Sequence, residues 1–215
     1  MVGNSSDDIV APGTGDDIVT GLGGRDTLPG GAGTDLIYGN TDSDLLYGNL
    51  GNDTLYGGKD TDTVFGGQSA DVVYGNLATD LLYGNLDNDT LFGGQDNDTV
   101  YGGQGNDTVF GNLGNDSLIG NLGDDSLIGG LGSDTFIFSG SSGTDSITDF
   151  STAEGDLLSI AADINGTGIA STTDLLLRLS NDGSGNAVLD LGAGNSITLI
   201  GVDATSLSAS SFILS

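Results

Sequence analysis

The chain has 215 residues, of which 31 are acidic and only three are basic, so its formal net charge at pH 7 is −28. This charge argues strongly against a nucleic-acid partner, because binding to phosphates requires clustered Lys and Arg. There is no Cys and no His, which excludes zinc, copper and iron–sulfur chemistry. No segment approaches transmembrane length and no signal-type leader follows Met1, so we expect neither membrane insertion nor a cleaved signal peptide.

From Gly3 to Ile137 the chain consists of fifteen uninterrupted nine-residue repeats. The first position is Gly in fourteen repeats and Pro12 in the other, and the eighth position is always apolar. A fixed period of this kind is typical of a solenoid, in which each repeat buries its apolar residue by stacking on its neighbours. The sixth position is Asp in every repeat: Asp8, Asp17, Asp26, Asp35, Asp44, Asp53, Asp62, Asp71, Asp80, Asp89, Asp98, Asp107, Asp116, Asp125 and Asp134.

The repeat predicts an all-β fold, a parallel β-roll solenoid in which two repeats complete one coil. We expect the first six residues of a repeat to form a turn and the last three a short strand, as in Gly48–Asp53 followed by Thr54–Tyr56. Repeats two apart then share an edge, which gives Asp rows of eight and seven with thirteen neighbouring pairs.

These rows place like charges close together. Strands of adjacent coils lie ~4.8 Å apart, and two unit charges at that distance repel by on the order of 1 kcal/mol even in water. Thirteen such pairs rival the roughly 5–15 kcal/mol of a typical domain's stability. The fold is therefore predicted to need positive counter-charge between its coils.

An alternative is that Asp occupies the sixth position only because Asx residues favour turns. A turn would accept Asn as well as Asp, yet the sixth position is never Asn. Carboxylates with turn carbonyls suit Ca²⁺ better than octahedral Mg²⁺, so the pattern predicts calcium at the Asp column. The adjoining fifth position, in contrast, is Asn at Asn52, Asn88, Asn97, Asn106 and Asn115.

Stretches such as Gly102–Phe110, which reads Gly-Gly-Gln-Gly-Asn-Asp-Thr-Val-Phe, resemble the hemolysin-type calcium-binding (RTX) nonapeptide. The resemblance covers 135 residues and implies a parallel β-roll with Ca²⁺ held in the turns by Asp side chains and turn carbonyls. Up to thirteen ions between coils would change the net charge from −28 to −2. The family prefers Gly at position four, which allows φ > 0, so calcium sites near Ser69 and Ala78 are predicted to be the weakest.

Position nine is aromatic in nine successive repeats, and these rings are expected to point outwards as one ladder on each sheet face. Ring-on-ring stacking that stiffens the sheet is the favoured interpretation. The alternative is a platform for a cell-surface polysaccharide or another partner. The rings are Tyr38, Tyr47, Tyr56, Phe65, Tyr74, Tyr83, Phe92, Tyr101 and Phe110.

The period fails at Phe138, which predicts two domains: a calcium-binding β-roll at 3–137 and a small C-terminal β capping module at 138–215. An open solenoid end leaves strand edges unpaired, and the C-terminal module is expected to cover them. Short strands, some joined by Gly-rich hairpin turns, are predicted at 146–150, 156–160, 175–180, 186–191 and 196–200.

Three pieces of this C-terminal part resemble the terminal module of proteins that are exported by type I (ABC-transporter) machinery. They are the Asp-Ser-Ile-Thr-Asp-Phe run at 145–150, the strand end at 199–202 and the apolar segment Phe212–Leu214. The resemblance implies a type I exporter as a partner and an uncleaved export signal at the C-terminus, which would explain the missing N-terminal one.

No catalytic constellation is found, so the chain is not expected to be an enzyme. There is no His or Cys to act as base or nucleophile, and paired carboxylates such as Asp124 and Asp125 lie within the Asp column. An ice-binding face would need a regular Thr or Asn row, and position three varies too much to form one.

The predicted function is a secreted calcium-binding structural protein of the cell surface or extracellular matrix, which folds on binding Ca²⁺ after export. Two alternatives are a polysaccharide-binding β-roll module and the C-terminal RTX part of a larger secreted toxin or enzyme. The mass of the native secreted product distinguishes the last of these.

Overall fold

A computed structural model describes all 215 residues, and each nine-residue repeat contributes one strand to a two-sheet solenoid. None of its helices is long and apolar enough to span a membrane. The strands of the repeat array are β1 Gly13–Thr14, β2 Ile18–Leu22, β3 Thr27–Ala32, β4 Leu36–Asn40, β5 Leu45–Leu50, β6 Thr54–Gly58, β7 Thr63–Gln68, β8 Val72–Leu77, β9 Leu81–Leu86, β10 Thr90–Gln95, β11 Thr99–Gln104, β12 Thr108–Leu113, β13 Ser117–Leu122, β14 Ser126–Leu131 and β15 Thr135–Phe138.

Odd-numbered and even-numbered strands of the array form two separate sheets, and neighbouring strands within each sheet run parallel. Thr90 of β10 pairs with Thr108 of β12, a step of two repeats. The same step is kept from β1 to β15. The prediction of a parallel β-roll with two repeats per coil is therefore confirmed.

The prediction of three-residue strands was wrong. Most strands run for five or six residues, from position seven of one repeat to position two or three of the next. The ladder between β10 and β12 skips Gly93 and resumes at Gly94, which pairs with Asn112. Both of these residues have positive φ, 128° and 78°, so the strand bends at position two without ending. Gly and Asn tolerate that conformation, which explains why position two is Gly or Asn in every repeat except the third, where Leu22 adopts a φ of 86°.

The core consists of two facing rows of position-eight side chains, one row from each sheet. All fourteen of these residues from Val19 to Phe136 are fully buried, and Val10 in the first repeat is partly buried against them. Each side chain is covered only by the facing row and by the coils on either side, because the core of the array has no further layer. The fold is thus an assembly of coils whose stability depends on their stacking.

Position-nine rings stack in two ladders, one on each sheet, with ring centroids 4.7–5.1 Å apart and planes within 3–8° of parallel. The predicted ladder on each face is confirmed. At their N-terminal ends Tyr38 pairs with Thr20 and Tyr47 with Pro29. The ring faces are therefore mostly covered by neighbouring side chains, which favours the stacking interpretation over a glycan platform that needs open faces.

Beyond the array, further strands add to the ends of both sheets. These strands are β16 Thr144–Ile147, β17 Leu157–Ile160, β18 Leu179–Asn181, β19 Ala187–Gly192, β20 Asn195–Leu199 and β21 Phe212–Leu214. In the even sheet β16 follows β14 and β20 follows β16, and in the odd sheet β17 follows β15 and β21 follows β17, all in parallel. β18 and β19 complete the even sheet through antiparallel hairpins.

The strand predicted at 175–180 was wrong for its first half. A short helix, α1, spans Thr172–Leu176, and β18 begins only at Leu179. Ser171 precedes the helix, and its side chain accepts a hydrogen bond from the Asp174 backbone N–H. This N-cap satisfies a free donor of the first turn and so favours a helix. The run of Leu residues from Leu175 to Leu177 favours a strand in sequence, but its first two residues lie in the helix.

Candidate metal centres in the turns

The sixth-position Asp side chains lie inside the turns rather than on the surface. Thirteen of them are no more than 4% exposed, whereas Asp8 and Asp17 in the first coil are half-buried because no coil precedes them. The buried residues are Asp26, Asp35, Asp44, Asp53, Asp62, Asp71, Asp80, Asp89, Asp98, Asp107, Asp116, Asp125 and Asp134.

One carboxylate oxygen of each buried Asp is satisfied by the preceding coil. The backbone N–H of Asp89 donates to Asp107 Oδ1 at 2.8 Å, and the other twelve bonds of this type measure 2.7–2.9 Å. These bonds link Asp residues two repeats apart. The structure thereby arranges the column as one Asp ladder along each edge of the solenoid.

The second carboxylate oxygen, Oδ2, has no hydrogen-bond partner in any of the thirteen buried Asp residues. A buried charged oxygen without a partner is strongly unfavourable, and buried charges in proteins are normally paired or bound to a metal. No basic side chain neutralises the ladders, since the one salt bridge joins Arg178 and Asp190 in the C-terminal part. These Oδ2 atoms without a partner are therefore suitable ligands for a cation.

The Oδ2 atoms lie next to the position-one glycines, which have no side chain to occupy that space. A Cβ added at Gly102 would lie 2.5 Å from Asp107 Oδ2 and 2.8 Å from the carbonyl oxygen of Gly120, one coil further on. A carboxylate oxygen and a carbonyl oxygen from successive coils thus converge on one small region. Such an all-oxygen environment suits a hard cation such as Ca²⁺, and it explains why position one is Gly.

Acidic side chains alone would not complete such a site. Nowhere does the structure bring three or more Asp or Glu side chains together in an arrangement that could hold a metal ion. Backbone carbonyls would have to supply the remaining ligands, and the Gly120 carbonyl near Asp107 is one example. Ca²⁺ accepts carbonyl oxygens in irregular geometry, whereas Mg²⁺ requires a near-octahedral set.

Burial makes the ionised ladder costly without a cation. Desolvation, followed by repulsion from neighbouring carboxylates, raises the pKa of Asp80 and of Asp89 to about 8. The same causes raise the pKa of Asp62 and of Asp71 to about 7. The highest values thus belong to the middle of the array, where neighbouring coils bury each carboxylate from both sides.

Replacing Gly102 with Ala tests this packing. The added methyl group would contact Asp107 Oδ2 and the Gly120 carbonyl, so the free energy of unfolding in calcium is expected to fall by roughly 1–3 kcal/mol. Chemical denaturation in saturating Ca²⁺ measures the loss. Gly183→Ala is the matched control, because nothing lies within 4 Å of a Cβ there. Equal stability of the two variants would mean that position-one glycine has no packing role.

Position four has positive φ in every repeat after the first, as the preference for Gly predicted, and Ser69 and Ala78 both adopt 78° there. A residue other than Gly in the left-handed region costs roughly 1–2 kcal/mol. Their turns contain Asp71 and Asp80, which are as buried as the other ladder residues. The weak calcium sites predicted here would therefore arise from backbone strain rather than from missing ligands.

Ala78→Gly is accordingly expected to lower the calcium concentration at the folding midpoint and to stabilise the folded array by about 1 kcal/mol. Circular dichroism during calcium titration measures the midpoint. Ala70→Gly in the neighbouring turn is the control, because Ala70 is exposed and does not have positive φ. If both substitutions shift the midpoint equally, strain at position four does not weaken the site.

Two further Asp residues extend the ladders beyond the array, and sequence reasoning missed them. Asp125 N–H donates to Asp145 Oδ1 at 3.0 Å, and Asp134 N–H donates to Asp156 Oδ1 at 2.9 Å. They lie 20 and 22 residues after their ladder neighbours instead of 18. The signal was present: Gly140–Thr148 keeps the order of a nonapeptide, displaced by two inserted residues.

A two-sheet parallel solenoid with a partly unsatisfied carboxylate ladder along each edge defines a calcium-binding β-roll. The chain belongs to the RTX calcium-binding nonapeptide repeat family, whose model matches residues 2–37, 11–46, 38–73, 74–109, 101–136 and 110–147. Together these matches cover more than half of the chain. No curated protein sequence matches it significantly.

Two solved structures show partial similarity. The solution structure of the AlgE6R3 subunit from the Azotobacter vinelandii mannuronan C5-epimerase has a TM-score of 0.48 and 29% identity, covering 60% of this chain and 78% of that one. The crystal structure of the extracellular lipase LipA from Serratia marcescens has a TM-score of 0.46 and 18% identity. It covers 99% of this chain, which spans only 39% of the lipase.

Proposed function

We propose that the fifteen position-six Asp residues bind Ca²⁺ and that the protein is a secreted calcium-binding structural protein of the cell surface or extracellular matrix. The observation that carries the proposal is the set of thirteen buried Oδ2 atoms without a partner. Membership of the RTX family supports calcium as the cation. The proposed number is up to thirteen ions in the array, one for each neighbouring pair in the two ladders.

In this proposal Ca²⁺ supplies the counter-charge that the ladders lack. Thirteen ions would reduce the formal net charge from −28 to −2. The Asp side chains hold one oxygen towards the cation while the other accepts a backbone N–H, so each carboxylate links two coils. Position-one glycines leave room for the ion and offer their carbonyl oxygens.

Folding would then depend on the calcium concentration around the chain. Without the cation, 40 Gly residues make ordering costly and the carboxylates repel each other. Extracellular calcium modules bind with dissociation constants of roughly 10⁻⁴–10⁻³ M, so the chain would stay unfolded where calcium is scarce and fold outside the cell.

We further propose that residues 138–215 form a capping module and carry a type I export signal. Support comes from Phe212–Leu214, which lies as strand β21 against β17 in the folded protein, with Phe212 only 5% exposed. An exporter that reads this segment as a free chain must do so before folding. Calcium-dependent folding outside the cell provides that order of events.

Fractionation of the producing cells tests the location and the structural role together. The protein is expected at the cell surface in millimolar calcium and in the medium after a chelator is added. A magnesium wash of equal ionic strength is the control for a purely ionic effect. Retention inside the cells under both conditions would contradict secretion, and retention at the surface in chelator would contradict a calcium-held matrix.

A cell-surface polysaccharide is the second candidate ligand. On one sheet a groove of about 1060 Å³ runs beside the aromatic ladder, and on the other a groove of about 930 Å³ does the same. Rings, Asn and Gln line both, a mixture that suits sugars. Covered ring faces argue against it. Titration with polysaccharide should change tyrosine fluorescence if the grooves bind glycans, and no change would exclude this candidate.

A further inference from the structure

The ten-stranded odd sheet has an outer surface without charge. No strand of this sheet, from β1 to β21, contains Asp, Glu, Lys or Arg. In the array every acidic residue occupies position four, five or six, so the charge lies in the turns along the two edges of the solenoid. The outer surface of the odd sheet, called the odd face below, is therefore a broad region where two of these acidic chains can meet without ionic repulsion.

The even sheet differs in this respect. Lys59 lines the groove on its outer surface, and Asp190 is exposed in β19. A partner that covered the even sheet would have to bury these charges, which is costly unless each one finds an opposite charge. Of the two sheets, the odd one is therefore better suited to a contact that excludes water.

A row of exposed leucines runs along the odd face. Leu50, Leu86 and Leu122 at position three are 48%, 37% and 49% exposed, and together with the aromatic ladder they line the groove of about 1060 Å³. They lie on alternate strands, with Gln68 and Gln104 between them, so the leucines recur every two strand spacings, or ~9.6 Å. Contiguous exposed apolar side chains of this kind mark interaction surfaces in soluble proteins.

The odd face is also nearly flat and large enough for a specific contact. Adjacent strands in most sheets are rotated by about 20–25°, whereas successive ring planes of the odd ladder differ by only 5–7°. The eight array strands extend over roughly 34 Å, and their five or six residues give a width of roughly 18 Å. Two such faces would bury roughly 1,200 Å² in total, which is the lower end of the range for stable interfaces.

We propose that the odd face binds the odd face of a second copy of this chain, so that the protein is a two-fold symmetric dimer in calcium. A second copy presents leucines at the same ~9.6 Å spacing, and the leucines of each copy can therefore enter the groove of the other along its whole length. The contact uses the same face of both copies, so association stops at two. A glycan fits the groove less well, because stacking covers the faces of the rings.

The proposal rests on the proposed calcium binding by the array. Without calcium the net charge of −28 keeps two chains apart, whereas thirteen ions would leave −2 on each copy. The ions would lie in the turns, along the edges of the solenoid, and would leave the odd face free for the contact. Dimer formation is therefore expected to follow calcium-dependent folding.

Sedimentation equilibrium of the full chain in saturating Ca²⁺ tests the pairing. Concentrations up to ~100 μM are sufficient, because interfaces of standard size bind with micromolar affinity or tighter. The unaltered protein is expected at twice the mass of one chain. Leu86→Lys is expected to raise the dissociation constant of the dimer by more than about ten-fold, because each copy would bury an unpaired charge. Leu113→Lys is the matched control, since Leu113 holds the same position in the even sheet and is 45% exposed.

Lysine at position three is compatible with the fold, because Lys59 occupies that position in its own repeat. Circular dichroism in calcium checks that both lysine variants fold. If Leu86→Lys does not, Leu86→Gln takes its place, because it copies Gln68 and Gln104 of the same sheet. This milder change is expected to weaken the dimer several-fold.

A monomer at every concentration would overturn the inference, and so would a dimer that the two lysine variants weaken equally. A monomer that folds in calcium leaves the proposed calcium binding intact, whereas a chain that stays disordered in calcium contradicts both, so the two failures are distinguishable. A calcium-folded monomer whose tyrosine fluorescence responds to polysaccharide would assign the groove to a glycan instead of a second copy.

Discussion

Deletion of residues 139–215 is expected to raise the calcium concentration needed for folding several-fold and to make the array aggregate. The deletion removes β16 and β17 and so leaves the edges of β14 and β15 unpaired, a template for association between chains. It uncovers Phe136, whose ring lies 6.1 Å from that of Phe150. Asp145 and Asp156 are lost too, and with them the acceptors for two ladder N–H groups.

Calcium titration followed by circular dichroism gives the midpoint of the truncated array, and light scattering gives its association state. Deletion of residues 1–2 is the control, because Met1 and Val2 at the other end are already 58% and 69% exposed and the deletion keeps all fifteen position-six Asp residues. A truncated array that folds at the same calcium concentration and does not aggregate would contradict the capping role. If that array is still exported, the export signal lies elsewhere.

Acidification is expected to promote folding of the calcium-free chain. Folded-state pKa values of about 6 for Asp107, about 7 for Asp62 and about 8 for Asp80 all lie above the ordinary value of 3.8. A raised acidic pKa means that the folded state binds more protons than the unfolded state, so stability falls as pH rises from about 4 through 8. The calcium-free fold should therefore be more stable at pH 5 than at pH 8.

The effect is large because many ladder carboxyls contribute in the same direction. One unit of pKa shift corresponds to about 1.4 kcal/mol, so even a few of these groups rival the stability of a domain. Circular dichroism in excess chelator at pH 5 and pH 8 makes the comparison, with light scattering to exclude aggregation near the isoelectric point. Equal disorder at both pH values would contradict the electrostatic account.

Much of the array could be predicted because each repeat uses the same residue for the same task. Position eight faced the core, position nine formed the ring ladders, and the period of nine gave two repeats per coil. Strand length could not be read in this way. Gly93 and Gly94 resemble a turn in sequence, yet only position two has positive φ in β10, and hydrogen bonding resumes immediately after the bend.

The candidate site was predictable only as far as the period extended. Asp107 and its equivalents share one spacing, whereas the ladder positions of Asp145 and Asp156 follow insertions of different lengths. Asp145 could have been recognised from the displaced nonapeptide Gly140–Thr148, whereas Asp156 is recognised only from the three-dimensional register that places its carboxylate against the last coil. The orphaned state of Oδ2 is also invisible in sequence, because it depends on which donors the preceding coil supplies.

Whether calcium makes this sequence fold can be measured by far-UV circular dichroism of the purified chain during calcium titration. We expect a disordered spectrum in excess chelator at pH 8 and a cooperative change to a β-rich spectrum at roughly 10⁻⁴–10⁻³ M Ca²⁺, with no such change in equimolar Mg²⁺. A spectrum that is equally β-rich in excess chelator would contradict calcium-dependent folding.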